Sequence, residues 1–276
     1  MTDEIKLLKD EIRRLRRIIS GLTPSLEIML KRRGFTIHRK EPSDDLLVPD
    51  MKSMAAYVNN LKKYSFRLFL RDVIKHQDAF TLEKVTRYTT QAVSAHYIDF
   101  LLKAGLAESF GKSYRLTKRP VKSFGETLEW FVSELVKRDL HAETTWGVRF
   151  KRPRVGGDYD LIAKVDASLL YMEIKSSPPK GIHESEITFF LDRIEDLSPD
   201  ISIFFVDTEL RMKDKIIPMF EKELLRRYKQ SIKAERIIKE LFHINRKIFI
   251  INAKENISAN IETVLTFLWH RKFEIT

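Results

Sequence analysis

The 276-residue sequence contains no cysteine, which removes disulfides, thiolate zinc sites and cysteine nucleophiles together. Any metal it holds must be bound by oxygen or imidazole. No stretch approaches the roughly 18 consecutive apolar residues that a membrane-crossing helix needs, and the N-terminus opens on charge rather than on a basic segment leading into an apolar one. A cytoplasmic protein with no membrane partner is expected. Neither a glycine–lysine phosphate loop nor a dinucleotide fingerprint occurs, so ATP hydrolysis is not supported. The histidines show no metal-ligand spacing. Negative charge is in deficit: 50 Lys and Arg stand against 39 Asp and Glu, a formal net charge of +11. A field of that sign favours nucleic acid as a partner. With 43% hydrophobic and 32% charged residues, the chain can build one large domain or two ordinary ones.

From Met1 to about Arg33, Ile5, Leu8, Ile12, Leu15, Ile19 and Leu22 recur in steps of three and four, the heptad pattern of a coiled-coil seam. Residues 1–40 are read as an amphipathic, coiled-coil-type helix, whose stripe serves either a partner or the chain's own surface. Glu41, Pro42, Ser43, Asp44 and Asp45 are hostile to a helix, and 41–61 is read as a linker.

Residues 62–122 predict a winged helix-turn-helix. Phe66, Phe69, Leu70 and Val73 share one face of a helix over Phe66–His76. A short helix begins near Leu82, and Thr89 or Thr90 caps the next one, fixed to the core by Val93, Ile98, Leu101 and Leu102. Gly111-Lys112, between Leu106–Phe110 and Ser113–Leu116, suits the two-residue type II′ turn of a hairpin wing. This segment carries 13 Lys and Arg against 5 Asp and Glu, an excess suited to phosphate contact. Gln91, Ser94 and His96 on the recognition helix and Lys112 and Arg115 on the wing are the candidate DNA contacts. Ordinary solvation is the competing reading for each, and winged helices also bind proteins.

From Gly125 the pattern becomes that of an α/β domain, assigned to 123–276. A helix over Glu126–Arg138 precedes strands at Thr145–Phe150, Tyr159–Val165 and Leu169–Lys175. A helix near Glu184–Asp196, the strand Ile201–Val206, a long basic helical stretch through about Leu241, the strand Lys247–Ile251 and a helix near Asn260–His270 follow. Arg226, Arg227, Lys229, Lys233, Arg236 and Lys239 on the basic stretch can contact phosphate or pair with nearby glutamates.

Asp160 lies in Gly156-Gly157-Asp158-Tyr159-Asp160, and Glu173-Ile174-Lys175 ends the next apolar strand. Strand alternation sends Glu173 and Lys175 to one face and Ile174 to the other, with Asp160 across the pair. A hard divalent cation needs oxygen ligands, often one or two carboxylates completed by water and phosphate. Asp160 and Glu173 supply that minimum, and Lys175 is placed to orient water or steady developing charge. Asp158 is a secondary ligand or rim carboxylate. Glu186 could contribute from the following helix and His183 could contact substrate, with solvation the preferred reading for each.

This joint pattern resembles the PD-(D/E)xK nuclease superfamily, which includes restriction endonucleases and archaeal Holliday junction resolvases. Tyr159 stands where the family name has proline. The resemblance covers Gly125 to about Thr208 and implies a restriction endonuclease-like mixed sheet flanked by helices, a Mg2+ or Mn2+ cofactor and a DNA substrate. It also implies a helical glutamate, for which Glu129 is the first choice and Glu126 the second. The expected activity is metal-dependent hydrolysis of DNA phosphodiesters, with Asp160, Glu173, Lys175 and Glu129 catalytic and Asp160, Glu173, Glu129 and Asp158 around the metal. The alternatives are a non-catalytic DNA-binding or regulatory protein that keeps the fold, and a protein-interaction module using the heptad and winged helices. Because a duplex has two strands and each chain one site, a homodimer through the heptad helix is expected.

Overall fold

A computed structural model describes residues 3–40, 45–151 and 154–270; within them the side chains of 3, 6, 9, 16, 17, 19–22, 39 and 40 lie outside the description. The helices are α1 (Asp3–Leu22), α2 (Leu26–Arg32), α3 (Met51–Leu61), α4 (Tyr64–Lys75), α5 (Gln91–Lys103), α6 (Gly125–Asp139), α7 (Glu184–Leu197), α8 (Ile216–Tyr228) and α9 (Ile257–Trp269). The strands are β1 (Ile37–Lys40), β2 (Ala107–Phe110), β3 (Ser113–Leu116), β4 (Glu143–Phe150), β5 (Tyr159–Val165), β6 (Ser168–Lys175), β7 (Ile201–Val206), β8 (Glu235–Ile238), β9 (Leu241–Ile244) and β10 (Ile248–Asn252). Among the described residues no helix is long and apolar enough to cross a membrane.

Eight strands form one mixed sheet in the order β1-β4-β5-β6-β7-β10-β9-β8. β6, β7 and β10 run parallel at its centre, and antiparallel strands complete both flanks. The central strands are apolar on both faces because both are covered, as buried parallel strands require. One face and the helices α3 to α6 and α9 share a buried cluster running from Leu47 to Leu265. The other face is covered by α2, α7 and α8.

The first cluster passes without interruption from Phe66, Phe69, Ile98 and Leu101 into Leu128, Phe131, Leu161 and Met172. Between α4 and α5 lies a 3-10 turn over Glu83–Val85, and Thr90 caps α5 through the Val93 amide. β2 and β3 pair Phe110 with Ser113 around a two-residue turn in which Gly111 takes φ +61, a conformation glycine adopts without strain. A buried ion cluster joins this segment to the central sheet: Arg67 Nη2 and Arg71 Nη2 lie 2.8 and 2.5 Å from the Asp207 carboxylate just after β7. Arg67 Nη1 also donates to the Leu61 carbonyl at 2.7 Å.

Four local expectations are corrected. The N-terminal helix ends at Leu22, and Ser25, following Pro24, caps the separate helix α2, which buries Leu26, Met29 and Leu30. Residues 51–61, within the stretch read as a linker, form α3, capped by Asp50 and burying Tyr57, Val58 and Leu61; residues 41–44 of that stretch lie outside the described ones. The long basic helix stops at Tyr228 and gives way to the β8–β9 hairpin. Val93, read as a core residue of α5, is exposed, whereas Ile98 and Leu101 are buried. The stripe of α1 is bare as well: Ile5, Leu8, Ile12 and Leu15 are 42, 60, 47 and 47% exposed. Ile19 and Leu22 belong to the same heptad, but their side chains lie outside the described ones.

Candidate active site

The β5–β6 register pairs Leu161 with Met172, so one step further Asp160 stands opposite Glu173. The same step marks a break in alternation. Leu161 belongs to the first cluster, yet Tyr159, two residues away, belongs to the second. Across the ladder, Gly147 sits between the pairs Trp146↔Leu161 and Val148↔Tyr159 with φ +55. Its left-handed backbone is the local twist that a β-carbon would oppose. Beside this break the Asp160 carboxylate reaches the neighbouring strand, where Oδ2 accepts the Ile174 amide at 2.7 Å.

Glu173 is 3% exposed at its side chain and has charged or hydroxyl partners on both oxygens. Lys175 Nζ lies 2.9 Å from Oε1 and Arg193 Nη1 2.8 Å from Oε2, which the Tyr171 hydroxyl also approaches. Ile174 packs into the first cluster. Lys175 bridges onward to Glu186 Oε1 at 3.1 Å, while Glu186 Oε2 accepts the His183 amide at 2.8 Å and closes the first turn of α7. Glu186 is thus tied to the site, contrary to the solvated reading. Arg193 comes from α7 and lies over the Tyr159 ring, 5.6 Å from its centroid. A β-carbon at Gly157 would stand 2.7 Å from Arg193 Nη2, which accounts for the second glycine of the pair preceding Asp158.

The carboxylates repel one another. Burial, then Glu173, pushes Asp160 up to about 7 against the pull of Lys175 and the Ile174 amide. Glu129 on α6 is pushed to about 10, first by burial and then by Asp160, Glu126, Glu173 and Asp158. Burial also acts upward on Glu173, but Lys175 and Arg193 hold it below its ordinary range, and the carboxylates in turn raise Lys175. Glu126 Oε2 is buried without a hydrogen-bond partner among the described residues. Buried acid of this kind, in surroundings of low dielectric, is what a divalent cation neutralises. The donor set, hard oxygen throughout, suits Mg2+ or Mn2+. As the side chains lie, no three His, Asp or Glu residues among those described are gathered to hold a metal, and the Lys175 ammonium and the Arg193 guanidinium occupy both Glu173 oxygens. Asp158 forms a two-point ion pair with Arg149, 2.9 Å for Nη2 to Oδ2. A cation here would call on Asp160 and on a Glu173 oxygen released by Lys175 or Arg193, with Glu129 nearby.

Of the proposed DNA contacts, Gln91 and His96 are exposed on α5 and Lys112 is exposed in the hairpin turn. Ser94 is corrected: it is buried, and its hydroxyl is bonded to the Thr89 hydroxyl and to the Val85 carbonyl, so it fixes the turn before α5 from within. Arg115 bonds Glu108 at 2.7 Å and lies 4.5 Å from the Phe110 ring centroid. Several cations of the C-terminal strip are also paired internally: Arg226 and Arg227 with Glu223, Lys233 with Glu221 and Lys239 with Glu255. Arg193 and Tyr171 were not singled out in the sequence; the Gly156-Gly157 pair was the only local sign of a close approach there.

Fold and site together define a mixed α/β protein with a carboxylate–lysine cluster where two central strands meet. No protein-family model matches the chain, and no curated protein sequence matches it. Among solved structures it is similar to Can2 from Sulfobacillus thermosulfidooxidans, determined in complex with cyclic tetra-adenylate, with a TM-score of 0.50 and 15% identity over 87% of this chain and 61% of that one. Protein VC1899 from Vibrio cholerae aligns with a TM-score of 0.46 and 12% identity, over 89% of this chain and 61% of its own. The chain spans less than two thirds of either protein, and at such identity the likeness to Can2 is one of fold.

Proposed function

We propose that the chain is a metal-dependent DNA endonuclease whose α4–α5 segment and β2–β3 hairpin act as a winged helix that holds the substrate. The observation that carries this reading is the convergence of Asp160, Glu173 and Lys175 on adjacent strands beside Glu129. A divalent cation, when bound by Asp160 and Glu173, supplies Lewis acidity toward the scissile phosphate. Lys175, raised in pKa and so fully charged at neutral pH, steadies negative charge developing on that phosphate. Arg193 and Tyr171 hold Glu173 in place. Gln91, His96 and Lys112 are the exposed candidates for DNA contact, and the surplus of positive charge supplies salt-sensitive affinity.

Linear, forked, four-way and single-stranded DNA incubated with and without Mg2+ or Mn2+ tests activity and substrate shape together. Glu173→Ala and Lys175→Ala are expected to abolish cleavage while leaving DNA affinity within a few-fold, because the charged surface binds and the cluster stabilises the transition state. Asp160→Ala is expected to abolish divalent-cation binding measured by calorimetry. Equal loss of DNA binding in the first two variants, or metal binding intact in the third, overturns the reading. A second reading, a DNA-binding protein that keeps the fold without catalysis, draws on the engagement of both Glu173 oxygens by Lys175 and Arg193. It expects DNA binding with no cleavage under any metal.

A further inference from the structure

We propose that α1 pairs with α1 of a second copy of this chain as a parallel, in-register, two-stranded coiled coil. The inference is independent of the nuclease reading. The heptad places Ile5, Ile12 and Ile19 at a and Leu8, Leu15 and Leu22 at d. Branched residues at a with leucine at d favour two strands over three or four. The described members of this stripe are exposed, and none of them belongs to either buried cluster. A lone helix of this length is marginal in water, so a bare apolar seam asks for a partner.

Charge at the flanking positions selects that partner and its direction. Glu4 and Glu11 fall at g, Lys9 and Arg16 at e. In a parallel pair each g residue faces the e residue five positions on, so Glu4 meets the partner's Lys9 and Glu11 meets the partner's Arg16. Opposite charges meet at both positions on both sides of the seam. In an antiparallel pair g faces g and e faces e, so in full overlap Lys9 meets Arg16, a like-charge encounter, and Glu11 meets the apolar Ile18 instead of a cation. The helix's other arginines fall outside the seam: Arg13, Arg14 and Arg17 take b, c and f. Arg13 and Arg14 are balanced within the helix by Asp10 at 3.4 Å and Glu11 at 3.6 Å. The C-terminal end of α1 is tethered, since Lys164 Nζ donates to Thr23 Oγ1 at 2.6 Å and the Leu26 amide to Glu143 Oε2 at 2.9 Å. Parallel pairing therefore leaves both α/β cores at the same end of the coil.

Light scattering on the full chain at tens of micromolar, on the order of where a specific interface of micromolar affinity is occupied, is expected to give a dimer. Leu8→Asp/Leu15→Asp, altering side chains already exposed in the single chain, is expected to give a monomer with an unchanged melting temperature. The doubly reversed chains Glu4→Lys/Glu11→Lys and Lys9→Glu/Arg16→Glu should each dimerise at least about tenfold more weakly, a loss of about 1.4 kcal/mol, and their equimolar mixture should recover the dimer. Because the chain has no native cysteine, Leu8→Cys provides a direct measure of orientation: on mild oxidation it is expected to form a disulfide-linked dimer by itself. A monomer at about 100 μM, well above micromolar affinity, overturns the proposal. So does failure of the charge-reversed mixture to associate, or cross-linking of Leu8→Cys only when mixed with Ile19→Cys, the antiparallel outcome.

Discussion

Arg193 organises the buried corner of the candidate site, touching Glu173, lying over Tyr159 and filling the space that Gly157 leaves open. Gly157 takes φ +94, which side chains with a β-carbon adopt only under strain. Gly157→Ala adds that strain and sets a methyl group against a guanidinium already committed to Glu173. The expected cost is about 1–3 kcal/mol, read by urea denaturation; unchanged stability would mean that the loop adjusts freely. Asp160, Glu173 and Lys175 were legible in the sequence because their spacing on two consecutive strands is itself the geometry. Arg193 was not, since an arginine on a helix 20 residues beyond its glutamate has the same local pattern as a solvated one. Ser94 misled for the converse reason: a hydroxyl near a helix start serves equally to bind a ligand or to satisfy a buried turn.

At the scale of elements, the strands from β4 to β7 were readable because their apolar runs are long and bounded by turns. The β8–β9 hairpin was not. Its turn uses Lys239 at φ +49, and the helix before it ends on Lys229 at φ +55, so lysines occupy left-handed positions where glycine or asparagine normally signals a stop. Lysine, arginine and glutamate are also good helix formers, and the basic run therefore imitated one long helix. Helix α3 was hidden by the acidic, proline-containing stretch before it, although Asp50 is a sound cap. Helix α8 closes on a carboxylate that offers a pH test. Glu223, bonded by Arg226 and Arg227, is held down to about 2 from an ordinary value of 4.5. The stability it contributes is present above pH 4.5 and is lost as pH falls through about 2. Glu223→Gln should therefore lower the melting temperature at neutral pH, with the difference from the parent chain narrowing as the solution is acidified below 4.5. A difference independent of pH would assign the effect to packing instead.

For the whole molecule, the decisive contact is the buried cluster of Arg67, Arg71 and Asp207, set in a hydrophobic core that continues from α4 and α5 into α6 and the sheet. Asp207→Ala strands two guanidinium groups, one of them fully buried, and is expected to cost about 3–5 kcal/mol. Denaturation followed by far-ultraviolet circular dichroism and by tryptophan fluorescence should remain a single coincident transition in the parent chain. Two separated transitions there would show that the helical segment and the sheet unfold independently. A weld of this sort also turns the molecule into a ruler. On the proposed nuclease reading, a duplex gripped along α5 would meet the carboxylate cluster across one continuous buried core, so the interval between the gripped bases and the severed bond would be a constant of the fold. Cleavage products mapped at nucleotide resolution should therefore end at one fixed offset from the protected footprint rather than in a spread.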